Sequence, residues 1–368
     1  MAMTTSALAH VAWEPCFVEA RHDRELEARA RRRMGLPNPA VRYFAAAPWV
    51  AHLAIDIHPE HGLLMHLDLH TSDLIGLVVS QENACRFCFA AVRAVLWFQG
   101  MDRQRVLRVE QEIARPDLPA PVRAALDYAR AQSRSGPAGA HAAWTALRAT
   151  GVSAAEAREI AFSVAVTDCS NRLHTALAIP PVPFERAPQS LVMRLLRPLM
   201  ERVTGTRRRR GNPVTPPARA PELPYARLIA AFGDSPIAPA LAQVLDEMWA
   251  SRHLTRRCKL LMFAVVSRGL PCQVCELEIT HALAREGLDA AAVARLLTHL
   301  DGPELEPIEQ LLMSYARETL WYQPAMLQRH TRTLRDRLSA EQLVEAVGVV
   351  ALANGLCRMA AVVMSEPA

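Results

Sequence analysis

Two pairs of cysteines in this chain are spaced for thiol chemistry. Cys85 and Cys88 form one CxxC motif, and Cys272 and Cys275 form a second one. Residues three apart on a helix have Cβ atoms about 5–6 Å apart, which suits a disulfide that opens and closes with little backbone movement. We therefore predict that these four cysteines are the catalytic residues of a dithiol–disulfide exchange.

Each pair is predicted to begin a helix. Asn83 is a natural N-cap ahead of Cys85, and Pro271 suits the first helical position ahead of Cys272. Free backbone N–H groups at a helix start stabilise a thiolate and lower the pKa of the thiol. Arg86 adds a positive charge beside the first pair only, so we expect that pair to be the more reactive. Both pairs should be open enough to meet another molecule.

Metal binding is the other chemistry that these residue types allow. Two CxxC pairs are a common tetrahedral zinc ligand set, and the four thiols could share one zinc if the two halves face each other. Each pair lies in apolar sequence and lacks a Gly-containing knuckle, so zinc ranks below redox chemistry. His66, His70 and Asp73 would share one face of an unbroken helix and could bind a metal or supply a base, although ordinary helix surface explains them better. We predict no bound metal or cofactor.

The segment around the CxxC motif occurs twice in the chain. Residues 78–88 and 265–275 match at an offset of 272 − 85 = 187. The same offset relates three later pairs of matching residues, which are Gly100 and Gly287, Asp102 and Asp289, and Tyr128 and Tyr315. A repeat of this length is a whole domain, so we predict a tandem duplication.

Both halves are predicted to be all-α. Apolar residues recur at helical spacing, and no continuous strand alternation is present. Ser153 and Ser339 are each followed three residues later by Glu or Gln, which is the pattern of a capping box at a helix start. Gly100 and Gly287 are predicted to end the CxxC helices in a left-handed conformation, and Asp102 and Asp289 to cap the helices that follow.

Length and composition predict two packed domains. The chain has 368 residues, of which 51% are hydrophobic and 21% are charged. We predict an N-terminal extension at 1–40 with a helical stretch at 21–33, a first domain at 41–182, a Pro/Arg-rich linker at 183–222 and a second domain at 223–368. The apolar segments Ile160–Ile179 and Val347–Met364 contain polar residues at several positions, so we predict buried helices and no membrane association.

Charge and thiol usage suggest the partners and the compartment. The net charge is +5, and the basic runs Arg31–Arg33 and Arg207–Arg210 lack interleaved aromatic residues, so nucleic acid is not an expected partner. No secretory signal is visible at the N-terminus. We predict the reducing cytoplasm, where CxxC motifs indicate redox or metal chemistry and not structural cross-links.

The order of these features resembles the alkylhydroperoxidase D-like domain of the carboxymuconolactone decarboxylase superfamily. The matching features are an apolar helix, CxxC at the next helix start, a Gly-x-Asp break, a Tyr-Ala-Arg helix and a final Asn-Arg helix, together with His58-Pro59-Glu60. The resemblance covers about residues 41–180 and 223–365. It implies a homo-oligomeric, disulfide-cycling peroxidase-type oxidoreductase that reduces a peroxide or a partner disulfide and is itself reduced by an external dithiol or redox protein.

The sequence departs from the proton relay of that family. Redox members have a Glu twelve residues before the first Cys and a His four residues after the second. The positions that match here are Asp73, Leu260, Val92 and Ile279. Asp73 alone is acidic and becomes a fifth candidate catalytic residue. Two alternatives stay open, a decarboxylase-like activity on a small lactone and a catalytically degenerate binding or assembly module. The attacking thiol also stays open, because the helix start favours Cys85 and the relay geometry favours Cys88.

Overall fold

The computed structural model describes residues 8, 10–34, 38–59, 62–98, 118–134, 137–181, 195, 198 and 224–365. Within these ranges the chain forms sixteen helices and no strand, which confirms the all-α prediction. In chain order the helices are α1 (Arg24–Met34), α2 (Val41–Phe44), α3 (Pro48–Asp56), α4 (Leu69–Glu82), α5 (Arg86–Phe98), α6 (Ala120–Arg134), α7 (Pro137–Ala149), α8 (Ala154–Ala176), α9 (Ala226–Ala230), α10 (Ile237–Ala250), α11 (Arg256–Gly269), α12 (Gln273–Arg285), α13 (Ala290–His299), α14 (Pro307–Glu318), α15 (Pro324–Arg335) and α16 (Ala340–Val363).

Serine caps begin the two longest helices. The hydroxyl of Ser153 accepts a hydrogen bond from the backbone N–H of Glu156 at 3.1 Å and begins α8. Ser339 and Gln342 satisfy each other's backbone N–H groups and begin α16. Both predicted caps are confirmed, because each serine satisfies donors that have no partner inside the helix.

The break after the second CxxC helix is also as predicted. Gly287 follows α12 with a φ of +87°, a left-handed conformation that glycine adopts without a Cβ clash. The side chain of Asp289 then accepts the backbone N–H of Ala292 at 2.7 Å and begins α13. Their counterparts Gly100 and Asp102 lie outside the described residues.

The N-terminal extension contains the helix expected in it. α1 packs against α3, and buried Asp56 forms ion pairs with Arg29 and, at 3.3 Å, with Arg33. The carboxylate of Glu27 also accepts from the guanidinium of Arg42 at 2.8 Å. These charges join the extension to the first half of the chain.

Helix bounds recur at the offset found in the sequence. α4 and α11 differ by 187 at both ends (69 + 187 = 256 and 82 + 187 = 269), and so do α5 and α12 (86 + 187 = 273 and 98 + 187 = 285). α6, α7 and α8 begin within one residue of the positions that this offset gives for α14, α15 and α16. α4 packs against α5, α6 and α8, and α11 packs against α12, α14 and α16.

α8 and α16 form the most extensive contact between any two helices. Around them α15 packs on α8, and α7 packs on α16. The two central helices approach closely at Gly355, where an added Cβ would lie 3.0 Å from the carbonyl oxygen of Ala165. The central seam of the molecule therefore joins its two halves.

The apolar segments of the sequence form these central helices. Nearly all residues of Ile160–Ile179 and Val347–Met364 are buried. By length and composition alone α16 could cross a membrane, and most of it is buried inside the protein. Its hydrocarbon side chains are thus part of the protein core.

The predicted linker at 183–222, with the run Arg207–Arg210, lies outside the described residues apart from positions 195 and 198. The boundaries at 41–182 and 223–368 stay predictions.

Candidate functional site

The first cysteine pair lies in the turn between α4 and α5. Cys85 is the residue directly before α5, and its sulfur accepts the backbone N–H of Cys88 at 3.4 Å. This is the bond that an N-cap side chain makes to the third helical residue. Asn83 was predicted to be this cap, and that prediction is wrong. Asn83 ends α4, and its amide donates to Asp168 at 3.1 Å.

The second pair has the same position one repeat later. Cys272 is the N-cap of α12 and forms a disulfide with Cys275, with Cα atoms 5.3 Å apart. The spacing therefore allows the bridge, as predicted. Pro271 was predicted to be the first helical residue, and it instead precedes the N-cap. The matching position in the first half is Ala84, which has a φ of +49°.

The two thiols of the first pair differ in acidity. Burial acts to raise the pKa of Cys85, but hydrogen bonds from the thiol and backbone N–H of Cys88 and from the hydroxyl of Thr175 outweigh it, so the pKa lies below its usual value. Burial, followed by the hydrogen bond and charge of Cys85, raises the pKa of Cys88 well above its usual value. Cys85 is therefore the more acidic thiol of the pair, and Cys88 is the one that keeps its proton.

A serine and a histidine of α8 lie on the Cys88 side. The sulfur of Cys88 is 4.0 Å from the hydroxyl of Ser170, which is 3.4 Å from Nδ1 of His174. Nδ1 lies 2.7 Å from the carbonyl oxygen of Ser170, so the ring hydrogen is on Nδ1. The Nε2 lone pair has no hydrogen-bond partner within the described part of the chain.

Aromatic packing keeps His174 neutral. Phe87 stacks on the imidazole with ring centroids 4.1 Å apart, and Phe44 meets its edge at 5.4 Å. Burial lowers the pKa of His174 from 6.5 to about 4. The hydrogen bond to the Ser170 carbonyl acts in the opposite direction, and the nearby His58 adds to the lowering. The imidazole is thus an uncharged polar group beside the site at physiological pH.

We expect this histidine to make the protein less stable in acid. The unfolded chain takes up the proton near pH 6.5 and the folded chain only near pH 4, so the stability that the neutral ring gives is complete above pH 6.5 and is lost as the pH falls to about 4. At about 1.4 kcal/mol per pKa unit, the loss is about 3 kcal/mol. Urea unfolding across this range, followed by circular dichroism, measures it. His174→Phe should lack this part of the pH dependence, while His281→Gln at an exposed position should keep it; equal curves for both variants would count against this role of His174.

A threonine and a tyrosine lie on the Cys85 side. The hydroxyls of Thr175 and Tyr322 are 2.5 Å apart, and Tyr322 also donates to the carbonyl oxygen of Asn171 at 2.8 Å. Tyr322 follows α14 and so belongs to the second half of the chain. The first cysteine pair therefore has neighbours from both halves.

The second pair lacks these neighbours. The offset is 186 in the last helix of each half, as the caps Ser153 and Ser339 show. The positions that match Ser170, His174 and Thr175 are therefore Leu356, Ala360 and Ala361. Cys357 contacts the hydroxyl of Tyr225 at 3.5 Å, and burial raises the pKa of its thiol to about 12. The positions that match the polar neighbours of the first pair are thus apolar in the second half.

The fifth predicted site residue, Asp73, is buried on α4. One turn further along this helix, a Cβ added to Gly76 would lie 3.6 Å from a methyl group of Val92. Val92 is the relay position that is His in the family, so hydrocarbon fills that position here. The polar groups found beside the two sulfur atoms are those of Ser170 and Thr175 on α8. A role of Asp73 in the chemistry stays a prediction.

The histidine face proposed near Asp73 does not form. Asp68 caps α4, so His66 precedes the helix that carries His70 and Asp73. The backbone N–H of His66 instead donates to buried Glu159 at 2.8 Å. Within the described ranges, no three His, Cys, Asp or Glu side chains come together to hold a metal ion. The zinc alternative, which required all four CxxC thiols in one place, is thus contradicted for Cys85, Cys88 and the disulfide-bonded second pair.

Both pairs are less accessible than predicted. Cys85 is 0% exposed and Cys88 is 7% exposed, and the second pair is similarly buried. The irregular N-terminal segment at residues 10–17 lies close to the first pair. Arg86, the positive charge expected beside the pair, donates to the carbonyl of Val11 at 3.3 Å. Cys16 donates to the carbonyl of Leu177 at 3.3 Å. In this structure a protein disulfide therefore cannot contact the sulfur of Cys85.

Sequence patterns alone did not identify the polar neighbours of the first pair. Ser170 and His174 are four residues apart on one predicted helix, and this spacing is the signal that could have placed them together. Nothing comparable indicates Tyr322, which reaches the site only through contact between the two halves.

The arrangement holds an acidified thiol next to a second thiol on one helix turn, with hydroxyl groups on either side. It can form and break a disulfide there without a metal ligand set. The chain matches no protein-family model, no curated protein and no solved structure.

Proposed function

We propose that Cys85 and Cys88 form a redox-active dithiol that reduces a small peroxide. The observation that carries the proposal is the unequal acidity of the two adjacent thiols. Hydrogen bonds from the thiol and the backbone N–H of Cys88 lower the pKa of Cys85, and burial raises the pKa of Cys88. A thiolate is the nucleophile in such chemistry, and a neighbouring thiol is needed to resolve the product.

The proposed cycle balances without a bound cofactor. The Cys85 thiolate attacks the O–O bond of the peroxide, forming Cys85 sulfenic acid and an alkoxide that takes one proton to become an alcohol. The Cys88 sulfur then attacks the Cys85 sulfur, the S–O bond breaks, and the departing hydroxide takes the Cys88 proton to become water. An external dithiol reduces the resulting disulfide by exchange.

Burial of the pair narrows the substrate class. Cys85 has no exposed surface, and Cys88 has very little. Close approach of a second protein would require movement of the segment at residues 10–17, whereas hydrogen peroxide or a short alkyl hydroperoxide has only to reach a sulfur atom. We therefore favour a small oxidant over a protein disulfide. The hydroxyls of Ser170 and Thr175 give the two sulfur atoms polar neighbours that can hydrogen-bond such an oxidant.

The second pair has a structural role in this proposal. Cys272 and Cys275 are joined, and Ala360 and Ala361 stand at the positions of His174 and Thr175. We further propose that the two halves are a tandem duplication of an alkylhydroperoxidase D-like domain. The matching bounds of α4 with α11 and of α5 with α12 support this.

Thiol counting by mass spectrometry tests the proposal. After brief exposure to hydrogen peroxide, the wild type is expected to lose two alkylatable thiols per chain and recover them with dithiothreitol. Cys88→Ser should instead retain a sulfenic acid on Cys85 that a 1,3-dione probe captures. Cys85→Ser should form no new disulfide.

The matched control is Cys16→Ser, which keeps the hydrogen bond to Leu177. It should lose the same two thiols as the wild type. A catalytically degenerate binding module is the competing function, and the burial of the thiols is the observation that favours it. Thiols that survive peroxide in the wild type, or consumption of peroxide that is unchanged by Cys85→Ser, would decide in favour of that module.

A further inference from the structure

We propose that Tyr322 of the second half is a positioning residue for the first-half dithiol and acts on Cys85 through the hydroxyl of Thr175. This inference rests on the proposed function for the role of Cys85, and it goes further by assigning the hydrogen-bond path that supports its thiolate. The chain of contacts runs from Cys85 to Thr175, and from Thr175 to the Tyr322 hydroxyl at 2.5 Å. It ends at the carbonyl oxygen of Asn171, which accepts from Tyr322 at 2.8 Å.

Buried charges hold Tyr322 in this position. The guanidinium of Arg172 lies over the tyrosine ring, 5.1 Å from its centroid, and its Nε donates to Asp168 at 2.9 Å. The same guanidinium also donates to the carbonyl of Thr319, in the segment that leads to Tyr322. A side chain held by a cation–π contact and a buried ion pair has little freedom to leave its partner hydroxyl.

Two hydroxyl groups in series can follow the protonation of the thiol. When Cys85 is a thiolate, Tyr322 donates to Thr175, and Thr175 donates to the sulfur. When Cys85 is protonated, these bonds reverse and Tyr322 donates to the carbonyl of Asn171. Either state leaves each hydroxyl with a partner, so the sulfur can change its protonation without a buried hydroxyl being left unsatisfied.

The phenol acts as a neutral donor in this path. Burial, followed by the charge of Cys85, raises the pKa of Tyr322 well above its usual value, so the hydroxyl keeps its hydrogen. Tyr322 is partly exposed, and its neighbour Trp321 is 63% exposed. The hydrogen-bond path therefore joins a fully buried sulfur to a partly exposed residue of the second half.

These hydrogen bonds take the place of a relay that this sequence lacks. Val92 fills the position of the family histidine, and Ala361, which has no hydroxyl, stands where Thr175 would be in the second half. The residue in the place of Tyr322 in the first half, Ser135, lies outside the described residues. A residue of the second half therefore supports the cysteine pair of the first half.

The test is a pH titration of thiolate absorbance in the ultraviolet, taken as the difference between each protein and its Cys85→Ser version. Tyr322→Phe removes one oxygen and keeps the ring over which Arg172 lies. We expect the Cys85 thiolate population at neutral pH to fall about tenfold, which corresponds to one hydrogen bond to a charged acceptor. Thr175→Val should give at least the same loss, and Thr175→Ser should restore the wild-type curve.

The matched control is Tyr315→Phe. Tyr315 is a buried tyrosine of the same half whose hydroxyl pairs with Thr331 at 3.0 Å, so the variant loses the same atom and the same kind of bond. It should titrate like the wild type. A wild-type curve for Tyr322→Phe, or equal shifts for both variants, overturns the inference. Because the titration uses no oxidant, a shifted curve in a protein that does not react with peroxide would reject the proposed function and leave this inference standing.

Discussion

Replacing Lys259 with methionine is expected to lower the free energy of unfolding by about 3–5 kcal/mol, as for other buried ion pairs that lose one partner. Lys259 and Glu345 are both 0% exposed and lie 3.1 Å apart between α11 and α16. The ammonium also donates to the carbonyls of Met248 and Ser251, at 2.6 and 2.7 Å. All three of its hydrogens are therefore used.

The large cost comes from what the substitution leaves behind. Methionine fills the volume of the lysine stem but leaves the Glu345 carboxylate with only the hydroxyl of Ser251, which donates to it at 2.8 Å. An unpaired buried charge costs several kcal/mol. Lys259→Met combined with Glu345→Leu should therefore recover much of the loss, apart from the two carbonyls that no longer have a donor.

Urea unfolding at neutral pH measures these effects. Arg268→Met is the matched control, because Arg268 and Glu276 pair at 2.6 Å with both side chains substantially exposed. Pairs of that kind contribute about 0–1 kcal/mol. A loss for Lys259→Met no greater than that of Arg268→Met would show that water reaches the Lys259–Glu345 pair.

Asp168→Asn is expected to destabilise the protein by about 3–5 kcal/mol and to disturb the dithiol site as well. Asp168 is buried, bonded to Arg172 and to the amide of Asn83 at the end of α4. Burial acts to raise its pKa, but Arg172 and then Arg358 outweigh this and keep the pKa of the carboxyl below its usual value. Removing the charge leaves two buried guanidinium groups without their counter-ion.

Those guanidinium groups hold the halves together. Arg172 donates to the carbonyls of Thr319 and Leu320, and Arg358 donates to those of Gln132 and Leu320. The same titration that reports on Tyr322 should therefore report a weaker Cys85 thiolate in Asp168→Asn.

Asp336→Asn provides the comparison, because Asp336 is an exposed partner of Arg335 at 3.4 Å. It should change neither stability nor the thiolate titration. If Asp168→Asn were as stable as Asp336→Asn, the two arginines would have to be satisfied by their carbonyl acceptors alone.

Local patterns in the sequence predicted the elements that carry the dithiol. Helical periodicity and serine caps placed α8 and α16, and the repeat placed both CxxC motifs at helix starts. The prediction of the α5 cap was wrong because a residue distant in sequence binds the side chain that was expected to cap the helix. Asn83 has a good N-cap side chain, but Asp168 on α8 accepts its amide, and the sulfur of Cys85 caps α5 in its place.

The proton chemistry could not be predicted because its residues meet only in three dimensions. The spacing of His66 and His70 suggested a functional site that does not form. Ser170 and Thr175 lie beside the sulfur atoms, but in the sequence they are ordinary hydroxyl residues of an apolar helix. The burial of Cys85 was likewise unexpected, since apolar flanks are compatible with both exposed and buried helix starts.

The seam between α8 and α16 places matching positions of the two halves close together, and several of their side chains differ. His174 corresponds to Ala360 and Thr175 to Ala361. In an assembly of identical subunits, every mutation appears in each copy, so a site and its structural support must change together. Under the proposed duplication, the two halves of this chain are free of that symmetry, so one half can lose the groups that support thiol chemistry and still pack against the half that keeps them.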